Sequence, residues 1–354
     1  MPVENRRKIP TANRSYRNAS QTPGESVRNP QRQVSLGPKP AAHRFAHRSC
    51  LCAVGFEQGI RDSDKNVTDI RTSFQDSFAK CARLIGQADG LLMTAGAGLG
   101  VDSGLPDFRG SEGMWRAYPA LGRARMHFEE IACPDAFRER PRLAWGFYGH
   151  RLKLYRETSP GPAFQILKDV ARRIPGGTFI FTSNVDGHFQ KAGFDEKRTV
   201  ECHGSIHHLQ CMDGCLRDIW TADNFAPEID DEARALLNEF PACPWCKGLA
   251  RPNILMFGDW GWIDDRMREQ RERLNVWRGR IERLLVIEIG AGTAIPSVRI
   301  FGELQDAPLI RINPTDAKTS ADRGVSLPMT GAEAMRGIAA ALMHDGFLDR
   351  NPMA

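Results

Sequence analysis

Short, mainly apolar runs, each followed by turn-forming residues, recur along this chain. They are Leu91–Ala95, Thr178–Thr182, Leu284–Ile289 and Leu309–Ile312. Such runs predict strands that are buried on both faces, as in a parallel sheet. Before the first run, apolar residues between 68 and 87 recur at three- and four-residue spacing, which predicts an amphipathic helix. Helix, strand and glycine turn in this order predict a doubly wound, Rossmann-like α/β fold, in which ligands bind at the carboxyl ends of the strands.

The charge distribution separates a basic N-terminal segment from the rest of the 354-residue chain. Residues 1–50 hold ten Lys or Arg and two Asp or Glu, a net charge of +8, so the total of +5 leaves −3 for the remainder. Segment 1–65 lacks apolar periodicity, and we expect it to be disordered. Its Arg-rich, acid-poor composition also leaves an organelle transit peptide open, although we expect a cytoplasmic protein. No run of 18 apolar residues occurs, so we expect no membrane span.

The first apolar run leads into GAGLGVDSGLPDFRG, from Gly96 to Gly110. Gly96 and Gly98 lack a Cβ, so backbone N–H groups here can approach a nucleotide phosphate closely. A G-x-G turn also forms where a strand packs tightly, so the glycines alone leave both functions open. Behind them, Asp107 and Arg109 flank Phe108, a combination that a packing turn does not require.

Four of the nine cysteines form two close pairs, Cys211 with Cys215 and Cys243 with Cys246. Two such pairs can supply four thiolates to one zinc ion, and the zinc should be structural because protein would fill every coordination position. Four unrelated reduced thiols are the alternative. A chain of this length does not need disulfides to stabilise its fold, so metal binding by cysteines in a reducing compartment is favoured over disulfide bonds. Acidic residues nearby, such as Asp230, argue against a nucleic-acid partner.

The chain resembles the sirtuin family, the NAD-consuming lysine deacylases. The resemblance is carried by the four paired cysteines, the GAGLGVDSGLPDFRG stretch, the segment Thr182–Gly187 (TSNVDG) and the sequence His203-Gly204-Ser205. The resemblance implies an enzyme that transfers the acyl group of an acylated protein lysine to ADP-ribose and releases nicotinamide. We predict a sirtuin-like domain over residues 66–347. Its predicted parts are Rossmann segments at about 66–110, 162–204 and 250–347, a helical insertion at about 111–161 and a zinc module at about 205–249. The charged segment 266–283 predicts a solvated helix.

The resemblance also implies roles for single residues. His203 is the implied general base, because an imidazole with a pKa of about 6.5 can accept a proton near neutral pH. Asn184 and Asp186 are implied to act at the nicotinamide ribose and carboxamide. A helix-capping turn at Ser183–Gly187 and a structural histidine are the alternatives. The implied NAD contacts are Gly96, Ala97, Gly98, Asp107, Phe108, Arg109, Ser183, Asn184, Val185, Asp186, Gly290, Gly292 and Asn313.

Tyr148 and Arg151 lie one turn apart in a helical region predicted from about 134 to 158, so both side chains can point into the same space. In sirtuins that remove succinyl or malonyl groups, a Tyr-x-x-Arg pair binds the acyl carboxylate. The resemblance therefore implies this acyl preference, and a solvated helix surface is the alternative. Phe257, within Arg251–Asp259, is implied to line the acyl-lysine channel.

Several positions depart from the sirtuin pattern. Gly100 stands in place of the usual Ser, Ser183 in place of Gln, Ala291-Gly292 in place of Thr-Ser, and Asp259 in place of Glu. Loss of the glutamine amide removes a polar contact expected near the ribose. Two other functions therefore stay open. One is NAD glycohydrolysis or ADP-ribosyl transfer by the same residues, and the other is a catalytically weak NAD-sensing scaffold.

Overall fold

The structure is a computed structural model that describes residues 73–106, 115, 118–123, 125–230, 232–320 and 323–349. Segment 1–65 and the predicted NAD contacts Asp107, Phe108 and Arg109 lie outside the described residues. Within the described ranges, no helix combines the length and the apolar character needed to cross a membrane.

The described residues form nine strands: β1 (Gly90–Ala95), β2 (Thr178–Thr182), β3 (Thr199–Glu201), β4 (Gly204–Cys211), β5 (Ile219–Thr221), β6 (Ala250–Ile254), β7 (Leu284–Ile289), β8 (Leu309–Ile312) and β9 (Gly324–Leu327). Six of them form a sheet in the order β3-β2-β1-β7-β8-β9, and all neighbours pair in parallel. The predicted doubly wound α/β fold is confirmed. The four apolar runs are β1, β2, β7 and β8.

The helices of the described part are α1 (73–87), α2 (Gly98–Val101), α3 (Pro119–Arg123), α4 (Phe128–Ile131), α5 (Pro134–Glu139), α6 (Pro141–Glu157), α7 (Pro162–Ala171), α8 (His188–Lys191), α9 (Asp265–Arg278), α10 (Ser297–Glu303) and α11 (Gly331–His344). The helix predicted at 134–158 is thus two helices. They break at Arg140 because the residue before a proline disfavours helical torsion angles, and Pro141 follows.

Helices cover both faces of the parallel sheet. One apolar cluster joins the sheet to α1, α7 and α11, and includes Ile85, Leu167 and Ile338. A second cluster joins the other face to α9 and α10, and includes Leu274 and Val298. Burial on both faces explains why the central strands are mainly apolar in sequence. The charged helix predicted at 266–283 is α9, which ends at Arg278 and buries one face, formed by Gln270, Leu274 and Trp277.

A smaller antiparallel sheet has the order β5-β4-β6. Its central strand, β4, runs from the residue after His203 to Cys211. The structure differs here from the predicted division at residue 250, because β6 pairs with β4 in the smaller sheet. A third apolar cluster packs this sheet against α6.

The strand order defines where a ligand can enter. The chain crosses from β1 to β2 on one side of β1, whereas β7 and β8 lie on its other side. The connections that follow neighbouring strands therefore diverge at the carboxyl end of β1. In doubly wound sheets this divergence leaves a crevice, and ligands bind there.

Candidate active site

Two glycine turns pack against each other at the carboxyl ends of β1 and β7. The N–H of Gly96 donates to the Ile289 carbonyl at 3.0 Å, and the N–H of Gly98 donates to the Gly290 carbonyl at 3.0 Å. A Cβ on Gly96 would lie 2.7 Å from the Cα of Ala291. Gly290 adopts a φ of +64°, which favours glycine. Glycine is therefore needed here for the close approach of the two turns.

This packing corrects the predicted source of phosphate donors. The N–H groups of Gly96 and Gly98 already have acceptors within the protein. Among the residues that the structure describes, the N–H groups of Ala97 and Gly292 have no hydrogen-bond partner. A Cβ on Gly292 would meet no atom within 4 Å, so its backbone is open to a ligand. We therefore assign the candidate anion donors to Ala97 and Gly292, one on each turn.

Asn184 joins the end of β2 to the first glycine turn. Its Nδ2 donates to the Gly96 carbonyl at 3.1 Å, and its backbone N–H donates to Thr182 Oγ1 at 3.0 Å. The N–H of Ser183 donates to the Ala95 carbonyl at 3.2 Å. The structure thus brings Ser183 and Asn184 to the same sheet edge as the predicted phosphate turn.

Asp186 follows the buried Val185 and is itself only 8% exposed. Its Oδ1 accepts from the N–H of His188 at 2.9 Å, so the Asx turn considered as an alternative is present and begins α8. A Cβ on Gly100 would lie 3.6 Å from Asp186 Oδ2. This carboxylate therefore also faces the segment after the first glycine turn. Its contact with a carboxamide stays a prediction.

His203 lies in the short connection between β3 and β4. The N–H of the preceding Cys202 donates to the Thr182 carbonyl at 2.8 Å, which ties this corner to the end of β2. The imidazole Nε2 lies 3.3 Å from Ser297 Oγ. Burial lowers the pKa of His203 below its ordinary value, so the imidazole is neutral near pH 7 and can accept a proton. Sequence reasoning missed Ser297, which carries no motif.

Asn313 follows β8 and supports the second glycine turn. Its Nδ2 donates to the Ala291 carbonyl at 2.9 Å, and its Oδ1 accepts from the N–H groups of Thr315 and Asp316 at 3.0 Å. The residue is 1% exposed. The side-chain amide is thus engaged in holding the turn, and the contact of Asn313 with a ribose stays a prediction.

A buried ion pair that sequence reasoning missed fixes the loop after β6. Arg251 Nη1 and Nη2 each lie 2.8 Å from the Asp259 carboxylate, and the two side chains are 1% and 0% exposed. The loop between them carries Phe257, whose ring is partly exposed and packs edge-on against Phe128. The departure from Glu at position 259 therefore concerns a structural ion pair. Arg251 and Asp259 are the two ends of the segment Arg251–Asp259, but no sequence pattern within that segment indicates that their side chains form an ion pair.

We expect Asp259→Ala to lower the free energy of unfolding by about 3–5 kcal/mol, because it leaves a buried guanidinium unpaired. Urea denaturation followed by circular dichroism measures the change. Asp135→Ala is the control, since its ion pair with Arg138 is largely exposed and such pairs contribute about 0–1 kcal/mol. Equal losses in the two variants would contradict a special role for the buried pair.

Tyr148 and Arg151 meet on α6 within a cluster of aromatic rings. Tyr148 stacks on Phe137, and burial raises the pKa of its phenol, which therefore stays protonated and can donate. Arg151 Nε and Nη2 donate to Tyr155 Oη at 3.0 and 2.8 Å. Its guanidinium lies 5.3 Å from the Phe147 ring centroid. Tyr155 was missed, although its position one turn after Arg151 could have indicated it.

This aromatic cluster continues toward His203. Phe147 contacts Phe128 at 6.1 Å between centroids, and Phe128 contacts Phe257 at 5.7 Å. Two residues before Phe257, the N–H of Leu255 donates to the His203 carbonyl at 2.9 Å. The three predicted substrate residues and the predicted base are therefore linked by a short series of contacts.

The four predicted zinc ligands come together in the structure. The Sγ atoms of Cys211, Cys215, Cys243 and Cys246 all lie within 4.8 Å of one another. The Sγ–Sγ distances are 3.7 Å for Cys211–Cys246 and 3.5 Å for Cys215–Cys243. Four thiolates about 2.3 Å from one tetrahedral zinc ion would be about 3.8 Å apart, so the donors fit one zinc. The length of β4 separates this site from His203 by on the order of 25 Å, so the zinc is structural.

The Sir2 family model matches residues 96–287, which is more than half of the chain. The chain belongs to the Sir2 family. The predicted resemblance to the sirtuins is thereby confirmed. Both glycine turns, Asn184, Asp186, His203 and the four cysteines either lie within the matched segment or directly follow it.

Similar Sir2-family proteins include an NAD-dependent protein deacylase of Pyrococcus furiosus, 33% identical over 184 residues, which are 51% of this chain and 66% of that protein. The NAD-dependent protein deacylase sirtuin-5, mitochondrial, of Danio rerio is 30% identical over 202 residues, 53% of this chain and 61% of that protein. The chain thus spans somewhat less than two thirds of the length of these relatives.

Solved Sir2 structures share the fold. A Sir2 homologue mutant in complex with ADP-ribose is 25% identical, with a TM-score of 0.57 over 77% of this chain and 99% of that one. A complex of a Sir2 homologue with NAD is 24% identical, with a TM-score of 0.55 over 74% of this chain and 94% of that one.

Proposed function

We propose that this Sir2-family chain is an NAD-dependent protein lysine deacylase, which transfers the acyl group of a modified lysine to ADP-ribose and releases nicotinamide. The observation that carries the proposal is the convergence of three separate segments on one sheet edge. Asn184 bonds the Gly96 turn, and His203 contacts Ser297, which follows the Gly290 turn. The relatives named for this activity support it.

The residues at this edge fit NAD. The N–H groups of Ala97 and Gly292 would hold phosphate oxygens, because both donors lack protein acceptors among the described residues. Asn184 and Asp186 would hold the nicotinamide ribose and carboxamide, with Ser183 and Val185 beside them. Bound NAD would supply an electrophilic ribose carbon and the ribose hydroxyl groups.

The chain itself provides orientation and a base. Phe257 would hold the acyl-lysine chain, because its ring is partly exposed and lies two residues after Leu255, whose N–H bonds the His203 carbonyl. His203, neutral near pH 7, would accept a proton from a ribose hydroxyl. Removal of this proton would ready a ribose oxygen of bound NAD to accept the acyl group from the lysine.

One assay tests this function against its rivals. Protein and NAD are incubated with acetyl-lysine peptide, with succinyl-lysine peptide and with no peptide, and nicotinamide and deacylated peptide are quantified. We expect nicotinamide to be released only with peptide and in equal amount to the deacylated product. Peptide-independent release would instead indicate NAD glycohydrolysis, and thermal stabilisation by NAD without turnover would indicate an NAD-sensing scaffold.

We also propose that the acyl group preferred by this enzyme is succinyl or malonyl. The support is the side-by-side placement of a protonated phenol and a guanidinium, which are apt donors to a carboxylate. Tyr155 orients the guanidinium through two hydrogen bonds. Acetyl-lysine offers no carboxylate and would gain nothing from this pair.

We expect Arg151→Met to lower kcat/KM for succinyl-lysine peptide by about 10–100-fold, because a hydrogen bond to a charged group contributes about 1.5–3 kcal/mol. The rate with acetyl-lysine peptide should change little. Lys153→Met is the matched control, since Lys153 is exposed on the same helix. Equal loss on both peptides would show that Arg151 does not select the acyl group.

A further inference from the structure

His203 has one side-chain hydrogen-bond partner in the described part of the chain, and that partner is a hydroxyl. Its Nε2 lies 3.3 Å from the Oγ of Ser297, a residue 94 positions later. Glu201, the acidic residue closest to His203 along the chain, is paired with Arg266 at 2.5 Å. The tautomer of His203 is therefore not set by a carboxylate within the described residues.

Ser297 is held in place independently of His203. It is the first residue of α10, and Phe301, one turn later, stacks face to face on Phe181 of β2, with 3.7 Å between the ring centroids. Arg299 Nη2 donates to the Ala291 carbonyl at 3.2 Å and to the Asp316 carbonyl at 2.7 Å. The helix is thus anchored both to the sheet and to the second glycine turn, so the hydroxyl has a preset position.

The other groups around His203 do not favour a protonated imidazole. Burial lowers the pKa of His203. Burial also raises the pKa of the neighbouring Cys202 thiol to about 12, so that thiol is neutral and offers no negative charge. The guanidinium of Arg271, which lies over the rings of Phe181 and Phe301, acts on that thiol and likewise offers no negative charge. Among the described residues, the acceptor that can stabilise a protonated His203 is therefore a neutral group, the Ser297 hydroxyl.

We propose that Ser297 is a positioning residue for His203, whose Oγ accepts a hydrogen bond from Nε2–H. This leaves the lone pair on Nδ1, which is neither hydrogen-bonded nor fully buried in the described part of the structure. When Nδ1 takes a proton from the ribose hydroxyl, the Nε2–H···Oγ bond becomes charge-assisted and therefore stronger. The inference rests on the proposed function for its catalytic consequence, but not for the contact itself.

The decisive comparison is between Ser297→Thr and Ser297→Val, which are equal in size and differ in the hydroxyl. In protein labelled with ¹⁵N-histidine, NMR gives the tautomer and the pKa of His203, with the resonance assigned from His203→Gln. We expect the pKa in Ser297→Val to fall by about half a pH unit or more, and Ser297→Thr to retain the wild-type value. The Nε2–H tautomer should dominate wherever the hydroxyl is kept.

Kinetics provide the second measurement. With acylated peptide, Ser297→Val should lower kcat by about tenfold, because one hydrogen bond to the charged base is lost, while KM for NAD changes by less than about twofold. The acidic limb of the pH–kcat profile should move to lower pH, in step with the NMR pKa. Ser297→Thr should restore both, and Ile300→Ala, at an exposed position of α10, should match wild type.

Two results would overturn the proposal. One is an unchanged pKa and tautomer of His203 in Ser297→Val, and the other is an equal loss of kcat in the Thr and Val variants. Absence of nicotinamide release by the wild type with every peptide would instead overturn the deacylase function. In that case the NMR comparison still decides the contact between Ser297 and His203.

Discussion

Replacement of His203 with Ala is expected to lower the rate of peptide deacylation by about 10²–10⁴-fold, the contribution typical of a positioned general base. Burial lowers the pKa of the His203 imidazole, so the side chain is neutral near pH 7 and can act as the base. Its removal takes away one hydrogen bond to Ser297 and leaves both glycine turns intact. Deacylated peptide is measured by mass spectrometry at an NAD concentration that saturates the protein.

The binding step separates this effect from misfolding. His203→Ala should bind NAD within a few-fold of wild type in calorimetry and should retain one zinc per chain, because the hydrogen bond that the imidazole makes within the described residues is to Ser297. His344→Ala is the matched control, since this histidine is exposed at the end of α11. Full deacylase activity in His203→Ala would rule out His203 as the base.

The strands that position this site are predictable because they are buried on both faces. β1 and β7 have no exposed residue, so their sequences are mainly apolar, with Thr94 and Glu288 as the polar exceptions, and a glycine follows each strand. The small sheet gave no such pattern. β4 includes two histidines and a glutamine, and β5 has three residues, none of them fully buried. Their pairing depends on the cysteine cluster and on β6, which a local pattern does not reveal.

Residue types at the site were predictable, but their partners were not. Gly96 has the same sequence signature whether its N–H faces a phosphate or a neighbouring turn. The outcome depends on Gly290, which is nearly two hundred residues away and whose positive φ makes the close approach possible. The contact between Ser297 and His203 is of the same kind. Asp102 provides another contact between residues that are distant in sequence, since its carboxylate accepts from the N–H of Ala332 at 2.8 Å and so caps α11.

Loss of the zinc site is expected to have the largest effect on stability. Cys243→Ser should retain less than about a tenth of the zinc, and its melting temperature should fall by about 10 °C or more, since structural zinc contributes several kcal/mol and each kcal/mol corresponds to about 2–4 °C in a domain of this size. Zinc content is measured by mass spectrometry and unfolding by calorimetry. Cys133→Ser is the control, because Cys133 lies outside the cluster and its sulfur bonds only the Glu130 carbonyl within the described residues.

The same variant should lose activity although the metal is remote from the base. β4 joins Cys211 directly to the corner that holds His203, and its first residue pairs with Ile254 of β6. When the thiolate cluster opens, the pairing of β4 with β6 loses the constraint at its far end, and the Leu255 N–H that bonds the His203 carbonyl shifts with β6. We therefore expect deacylase activity and zinc content to fall together during titration with a chelator. Undiminished activity and melting temperature in zinc-free protein would show that the four cysteines do not support the small sheet.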